Sequence, residues 1–245
     1  MTGVFVLINS RRFPIISHLR DQGRRNRDGV SAVTCFITFE GIEGCGKTTQ
    51  VGLLSRMLEE QGKPVLVTRE PGGCAIADKI RAILLDADNH ALVPLAELLL
   101  YAAARAQHVA EVIRPALAEG KVVICDRFTD ATMAYQGHGR SLDRDLIRTL
   151  NRLAAGGISP DMTILLDCPA EVGLKRALAR IETTEGAREE RFEQESLRFH
   201  RAVRQGYLAL AAGDPDRFVV LDGTLDIRET ATAISKAVLS RLSQG

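Results

Sequence analysis

Five short runs of mainly apolar residues recur along the chain, and none of them alternates apolar with polar positions. They are residues 35–39, 65–68, 122–125, 163–166 and 218–221. Near-continuous apolar runs of this length are typical of strands buried on both faces of a parallel sheet. The pattern therefore predicts five buried parallel strands.

Between these runs, the apolar residues follow the spacing of helices. The clearest case is the last segment, where apolar side chains recur three or four positions apart: Ile227, Ala231, Ile234, Val238 and Leu242. Similar spacing predicts helices around 51–58, 95–117, 144–155, 170–181, 194–211 and 227–242. Alternating strands and helices predict an α/β fold, a three-layer doubly wound parallel sheet. Ligands of such folds bind beyond the carboxyl ends of the strands.

A glycine-rich segment separates the first predicted strand from the first predicted helix. It matches the pattern G-x-x-x-x-G-K-[ST] and consists of Gly41, Ile42, Glu43, Gly44, Cys45, Gly46, Lys47 and Thr48. Backbone N–H groups of such a loop, together with the helix N-terminus, bind the phosphates of a nucleotide. We expect the catalytic Lys47 to reach the β- and γ-phosphates of ATP, and Thr48 to bind Mg²⁺.

Charged residues follow two other predicted strands. Asp126 and Arg127 come directly after the run 122–125, and Arg69 follows the run 65–68. A carboxylate at this place is a candidate second ligand of Mg²⁺. A guanidinium group matches the geometry of phosphate oxygens, so the two arginines predict a second phosphate-binding site opposite the loop.

Overall composition excludes some classes of partner. The chain has 245 residues and a formal net charge of +1, so no bulk field favours nucleic acid or a membrane, and we expect neither as a partner. The five cysteines are scattered and form no C-x-x-C pair. This usage favours a reducing compartment, and we expect the protein to be cytoplasmic.

The first residues differ from the rest. Residues 1–32 contain six arginines, all of them between positions 11 and 27, and only two acidic residues, Asp21 and Asp28. We interpret 1–32 as an extension that is disordered or results from a start codon assigned too far upstream. An organelle-targeting segment is the alternative. Residues 33–245 are expected to form the functional domain.

Three motifs together resemble one family. They are Phe39-Glu40-Gly41 with the loop that follows, the segment Thr68-Arg69-Glu70-Pro71-Gly72-Gly73, and Asp126-Arg127-Phe128. This combination is similar to thymidylate kinases, and the similarity extends from about Cys35 to the C-terminus. The resemblance implies a fold of the P-loop nucleoside monophosphate kinase type. It also implies ATP and dTMP as substrates, Mg²⁺ as cofactor, dTDP as product and a homodimer.

The predicted helix 95–117 carries a candidate base pocket. Glu97, Tyr101, Arg105 and His108 lie three or four positions apart and share one side of the helix. From spacing alone, this pattern fits a base pocket or an ordinary amphipathic helix with a core tyrosine equally well. The resemblance favours the pocket, with Tyr101 stacking on thymine and Arg105 donating to its O4 atom.

The resemblance assigns further substrate contacts. Thr132 matches a position that meets the N3–H region of thymine, and Tyr135 matches one that crowds the sugar C2′ atom. Glu43 matches the acceptor of the 3′-hydroxyl, although some members of the family carry Asp there. Together with Arg69, Tyr101, Arg105 and Arg127, these residues form the predicted dTMP site, and Arg127 is also expected to be catalytic.

A charged segment, about residues 180–193, is predicted to be a mobile lid. Some relatives place an arginine within the phosphate loop, whereas this chain has Gly44 and Cys45 there. It therefore resembles the bacterial subgroup in which the lid supplies the catalytic arginine. The candidates, in order of preference, are Arg191, Arg188 and Arg180.

Two other functions fit part of the pattern. A kinase acting on a nucleoside or on another nucleotide would keep the phosphate loop, but a nucleoside offers no phosphate to Arg69 and Arg127. An ATP-driven assembly or regulatory protein would also use the loop. That second reading leaves the predicted base pocket unexplained.

Overall fold

The computed structural model describes residues 34–182 and 191–243. In this part of the chain, five strands form one sheet: β1 (Cys35–Glu40), β2 (Val65–Arg69), β3 (Val122–Asp126), β4 (Met162–Asp167) and β5 (Phe218–Asp222). All neighbours are parallel, in the order β2-β3-β1-β4-β5. The predicted α/β class and parallel sheet are confirmed.

Helices connect the strands and cover both faces of the sheet. They are α1 (Lys47–Glu60), α2 (Ala75–Leu85), α3 (Pro94–His108), α4 (Arg114–Ala118), α5 (Thr129–Thr132), α6 (Arg144–Ala154), α7 (Ala170–Glu182), α8 (Leu197–Gly213) and α9 (Ile227–Leu242). A π-helical turn, Val109–Ile113, joins α3 to α4, and another, Met133–Gly139, continues α5.

The side chains of β1 alternate between two apolar cores. Ile37 and Phe39 belong to a large core that includes residues of α1, α8 and α9, whereas Phe36 belongs to a second core. Val109 and Ile113 of the first π-helical turn contribute to that second core. Because successive residues of a strand point to opposite faces, the central strands β1, β3 and β4 are buried on both sides. The prediction of five buried strands is wrong for the edge strands β2 and β5, which within the described sheet have a neighbour on one side only and leave Val67 and Val220 nearly half exposed.

Two helical regions differ from the sequence expectation. α2 was not predicted, and its apolar residues are not confined to one face, since Ile76 and Ile83 remain about half exposed. α8 begins at Leu197 rather than at residue 194, because the hydroxyl of Ser196 accepts a hydrogen bond from Phe199 N at 3.3 Å and caps the helix.

Strand order determines where the functional residues meet. β3 lies between β1 and β2, so the register places Asp126 beside Phe39 on one side and beside Arg69 on the other. The phosphate loop, Arg69 and Arg127 therefore lie together at the carboxyl ends of these three strands. Within residues 34–182 and 191–243, no helix is long and apolar enough to cross a membrane. The predicted extension 1–32 and Arg188 lie outside the described residues.

Candidate active site

A cavity of about 980 Å³ opens at the carboxyl ends of β1, β2 and β3. Most of the predicted site residues line it: Glu43, Gly44, Lys47, Thr48, Arg69, Tyr101, Arg105, Asp126, Arg127, Thr132, Tyr135 and Arg180. Gly41, Ile42, Cys45 and Gly46 belong to the loop beneath it, and Arg191 does not line it. The cavity thus joins the phosphate loop to the predicted base pocket.

The phosphate loop is held tightly against its neighbours. The ammonium group of Lys47 donates to the carbonyl oxygens of Gly41 at 3.0 Å and Ile42 at 2.8 Å. Gly44 has a positive φ of 68°, and a methyl group added there would lie 2.0 Å from the carbonyl oxygen of Gly173. Position 44 therefore has no room for a larger side chain, such as an arginine, unless α7 shifts.

Thr48 and Asp126 form a candidate magnesium site. The hydroxyl of Thr48 donates to Asp126 Oδ2 at 3.2 Å. Asp126 Oδ1 is buried and has no hydrogen-bond partner among the described residues. An unpaired buried carboxylate oxygen beside a hydroxyl is a suitable donor set for Mg²⁺, which usually takes one or two protein ligands and completes its shell with water and phosphate. In the described part of the chain, no group of three or more His, Cys, Asp or Glu forms a metal site.

Arg127 is held by a buried carboxylate and two tyrosines. Its Nη2 atom donates to Glu43 Oε1 at 3.0 Å, its Nη1 donates to the hydroxyl of Tyr207 at 3.1 Å, and its guanidinium lies 4.8 Å from the centre of the Tyr135 ring. Burial disfavours the charged form, but interactions with Tyr135, Tyr207 and Glu43 outweigh it and raise the pKa of Arg127. The cation is therefore fixed on the wall of the cavity.

Glu43 remains ionised in this cluster. Tyr135 donates to its Oε1, and Nδ1 of His200 lies 3.3 Å from its Oε2. Burial tends to raise the pKa of Glu43, but His200, Arg127, Lys47 and Tyr135 together lower it to about 2. A fixed negative carboxylate faces the cavity, as an acceptor for a sugar hydroxyl requires.

Glu40 lies beneath the cluster and ties it to the sheet. Its Oε1 accepts from the backbone N–H of Phe128 at 2.8 Å, and its Oε2 accepts from the Tyr207 hydroxyl at 2.8 Å. Arg127, which directly precedes Phe128, has a positive φ of 72°. Burial, followed by repulsion from Asp130, raises the pKa of Glu40 to about 8. Glu40 therefore supports the strained turn that presents Arg127.

Arg105 is 2% exposed, yet it borders the cavity. Its guanidinium donates four hydrogen bonds, to Glu70 Oε2 at 2.7 Å, Asn151 Oδ1 at 2.7 Å, and the Phe128 carbonyl and Thr132 Oγ1 at 3.0 Å each. Such a network fixes the guanidinium plane before any ligand arrives.

Aromatic side chains form the wall next to Arg105. Tyr101 is half-buried, and its ring centre lies 6.5 Å from that of Phe192. Tyr135 is buried and packs edge-on against Phe192 at 5.3 Å. Rings arranged in this way leave a flat apolar face available to a base.

Arg69 is exposed, in contrast to Arg105 and Arg127. Its side chain is 57% exposed, and its Nη2 lies 3.6 Å from Asp78 Oδ1, a weak surface pair. Arg69 and Arg127 both face the cavity. A phosphate between them would meet one mobile and one fixed cation.

The ends of the predicted lid are described, and its two arginines there differ. Arg191 is buried, donates through Nε to the carbonyl oxygen of Leu84, and pairs through Nη1 with Glu97 Oε2 at 2.7 Å. Its Nη2 is buried without a hydrogen-bond partner among the described residues. Arg180 is 60% exposed, lines the cavity and lies 3.9 Å from Glu193.

Glu97 accepts from other donors besides Arg191. Gln136 Nε2 donates to Oε1 at 2.7 Å, and Arg140 donates to both carboxylate oxygens at 3.2–3.3 Å. Glu97 therefore joins α3, the second π-helical turn and the end of the lid in one buried cluster.

Several cavity residues were not anticipated as site residues. They include Glu70, Arg81, Gln136, Phe192 and Glu193. Glu70 and Gln136 could have been suspected, since each directly follows a predicted site residue. His200 is separated from Glu43 by more than 150 residues, and no local pattern links the two.

Comparisons with known proteins agree with this geometry. The thymidylate kinase family model matches residues 39–234. A thymidylate kinase of Geotalea uraniireducens is 65% identical over 211 residues, which is 86% of this chain and 99% of that protein. One from Geobacter sulfurreducens is 67% identical over 207 residues, 84% of this chain and 97% of that protein.

A solved structure leads to the same family. The crystal structure of thymidylate kinase from Ehrlichia chaffeensis superposes with a TM-score of 0.67 at 34% identity, covering 84% of this chain and 98% of that one. The chain therefore belongs to the thymidylate kinase family and is a kinase.

Proposed function

We propose that the chain converts dTMP to dTDP, a step of dTTP synthesis, by direct in-line transfer of the γ-phosphoryl group of ATP·Mg²⁺. Family membership supports the reaction, and the cavity supports the mechanism. The observation that carries it is that Arg69 and Arg127 face the same cavity as the phosphate loop. A pure ATPase has no use for a second phosphate site in the cavity of its phosphate loop.

On the donor side, the loop 41–48 binds the ATP phosphates. Lys47 neutralises charge that develops on the transferred group, since transfer of this kind depends on positioning and electrostatics more than on covalent chemistry. Thr48 and Asp126 would hold Mg²⁺, which would offset the negative charge of the phosphates. The unpaired Oδ1 of Asp126 supports this role.

On the acceptor side, Arg69 and Arg127 bind the dTMP phosphate, and Arg127 also stabilises the transferring group. Tyr101 stacks on thymine, Arg105 donates to O4, and Thr132 meets the N3–H region. Tyr135 crowds C2′, and Glu43 accepts from the 3′-hydroxyl. The low pKa of Glu43 suits that role, because an ionised carboxylate only accepts hydrogen bonds.

The lid supplies the remaining positive charge. Arg191 is the first candidate, followed by Arg188 and Arg180. Arg191 must leave Glu97 to reach the phosphates, and Arg140 and Gln136 would still satisfy that carboxylate afterwards. Arg180 already borders the cavity. The crowding at Gly44 supports a source outside the phosphate loop.

Three broader assignments complete the proposal. The kinase domain is residues 33–245, and the matched range 39–234 supports this. The enzyme is cytoplasmic, in keeping with five cysteines that are all free thiols. It forms a homodimer, since α2 and α3 pack together and both leave apolar residues exposed: Ile76, Ile83, Leu95 and Leu99. Sedimentation at several concentrations would measure the dimer.

The deciding experiment is ADP release by the purified chain with ATP·Mg²⁺ and one acceptor at a time. The acceptors are dTMP, dUMP, UMP, CMP, AMP and thymidine. We expect strong stimulation by dTMP. Stronger stimulation by UMP, CMP or AMP than by dTMP would keep the kinase and overturn the base pocket, whereas hydrolysis that no acceptor changes would favour an ATP-driven switch.

A further inference from the structure

A buried polar network connects the end of β2 to α3. Glu70 Oε2 accepts from Arg105 Nε at 2.7 Å, and Glu70 Oε1 lies 3.0 Å from His108 Nδ1. On the far side of the ring, His108 Nε2 lies 2.7 Å from the hydroxyl of Thr68. All four side chains are buried. None of the roles proposed above uses Glu70, His108 or Thr68.

The network leaves Arg105 one available donor. A guanidinium group has five N–H bonds. Four of them point to protein acceptors, on Glu70, Asn151, Phe128 and Thr132. The direction of the remaining Nη1–H is therefore fixed by the protein, and Arg105 can meet a base acceptor only in one orientation.

Among the four acceptors of Arg105, Glu70 is the charged one. A carboxylate bound to a guanidinium forms a stronger and more directional bond than a neutral acceptor. The other acceptors of Arg105 are an amide, a carbonyl and a hydroxyl. Because a carboxylate only accepts, His108 Nδ1 donates to Glu70, and this holds the carboxylate plane that in turn orients Arg105.

Gly73 encloses the network from the cavity side. It has a positive φ of 89°, and a methyl group added there would lie 2.5 Å from His108 Nε2 and 2.6 Å from Thr68 Oγ1. The segment 68–73 thus places Arg69 outward, toward the acceptor phosphate, and Glu70 inward, toward the base-reading arginine. One short segment therefore carries both the proposed phosphate ligand Arg69 and the carboxylate that holds Arg105.

We propose that Glu70, oriented by His108, is a positioning residue that aims the Arg105 guanidinium at the O4 atom of the base and so sets selectivity for a 4-keto over a 4-amino pyrimidine. This inference rests on the proposed function, in which Arg105 donates to O4. A bond that is aimed by the protein favours an acceptor at position 4 and rejects an amino group, which offers donors instead.

The test measures kcat/KM of the wild type and of Glu70→Gln with three acceptors. Two of them, dTMP and dUMP, have a 4-keto group, and the third, 5-methyl-dCMP, has a 4-amino group. In Glu70→Gln we expect kcat/KM for dTMP and dUMP to fall about tenfold each, while that for 5-methyl-dCMP changes by less than about twofold. The keto-to-amino selectivity ratio would therefore shrink by about tenfold.

A double-mutant cycle with Arg105→Ala isolates the route of the effect. If Glu70 acts through Arg105, Glu70→Gln changes the selectivity ratio by less than about twofold in the Arg105→Ala background. Asp130→Asn removes one carboxylate from another buried pair, with Arg217 at 2.6 Å, and controls for loss of a buried charge without altering the Arg105 network. We expect its selectivity ratio to remain that of the wild type.

Folding is monitored by thermal unfolding of each variant. If Glu70→Gln does not fold, His108→Asn is the second variant. It removes the imidazole that holds the Glu70 carboxylate but keeps the carboxylate itself. We expect a smaller drop in the keto-to-amino selectivity ratio. Equal losses for all three acceptors, or an unchanged ratio in a folded variant, would overturn the proposal. A wild-type protein that does not phosphorylate dTMP would instead overturn the proposed function, and with it this inference.

Discussion

The two sides of the cavity are built in different ways. On the donor side, eight consecutive residues form the phosphate loop, and Lys47 is held by carbonyl groups five and six positions away. On the acceptor side, buried Glu–Arg pairs join distant segments. Glu43 and Arg127 are 84 residues apart, and Glu70 and Arg105 are 35 apart.

This difference has consequences for substitution. In the proposed mechanism, a donor-side residue acts directly on phosphate, and the neighbours of Lys47 are mostly backbone groups that a substitution leaves in place. On the acceptor side, Arg105 and Arg127 are each held by a buried or partly buried carboxylate, so removing one partner leaves a charge that has lost its main counterion. We therefore expect clean kinetic effects on the donor side and mixed kinetic and stability effects on the acceptor side.

The largest effect is expected for Lys47→Met. The substitution keeps an unbranched side chain but removes the charge on the transferring phosphoryl group, so kcat should fall by about 100-fold or more. Steady-state kinetics with ATP·Mg²⁺ and dTMP measure it, and Lys236→Ala, an exposed position on α9, is the control. A kcat within threefold of wild type would contradict the donor-side assignment, whereas a normal melting temperature would confirm that the effect is kinetic.

Arg191→Ala tests whether Arg191, at one end of the lid, has the proposed catalytic role. If Arg191 acts on the transition state, kcat should fall by roughly 100-fold while KM for dTMP changes little. Arg180→Ala is the matched variant at the opposite end of the lid. An unchanged kcat in Arg191→Ala together with a large loss in Arg180→Ala would transfer the catalytic role to Arg180 and leave Arg191 as the partner of Glu97.

Glu40→Gln is expected to alter the pH dependence of stability. The folded protein retains a proton on Glu40 up to pH about 8, because burial raises its pKa, whereas the unfolded chain releases that proton near its ordinary value of 4.5. The folded state then binds more protons, so this group makes the wild type less stable as pH rises from about 5 to about 8.

Glutamine cannot titrate, and the variant should lack this decline. Its free energy of unfolding relative to wild type should increase with pH by at most about 1.4 kcal/mol per unit, and level off above pH 8. Urea unfolding at several pH values measures the difference. A difference that is constant with pH would show that Glu40 is ionised in the folded protein throughout this range.

The smallest effect is expected for removal of residues 1–32. Every proposed site residue lies between Gly41 and Arg191, and the family match begins at residue 39. A chain that begins at residue 33 should therefore keep kcat and KM for dTMP within about twofold, a change at the scale of ordinary surface substitutions. Parallel kinetics of the full and shortened chains provide the measurement, and a large loss of activity would assign the extension a role in catalysis or folding.

The sequence by itself determined the local parts of this protein. Near-continuous apolar runs predicted the five strands, because a strand buried on both faces shows no polar alternation. The pattern ending in Gly46, Lys47 and Thr48 predicted the phosphate loop, since its geometry depends on adjacent glycines and the helix that follows. Motif resemblance predicted the family, which the comparisons confirmed.

Tertiary structure decided which side chains hold one another. The strand order β2-β3-β1 brings Arg69, Asp126 and the phosphate loop to one edge, and no local pattern specifies that order. Partners such as Glu43 and His200, or Glu97 and Arg191, lie far apart along the chain and meet only after the helices pack. Their ionisation and direction depend on burial and on neighbours from other segments. For this reason the sequence predicted many of the residues that line the cavity, while the hydrogen-bond network around Arg105 emerged only from the fold.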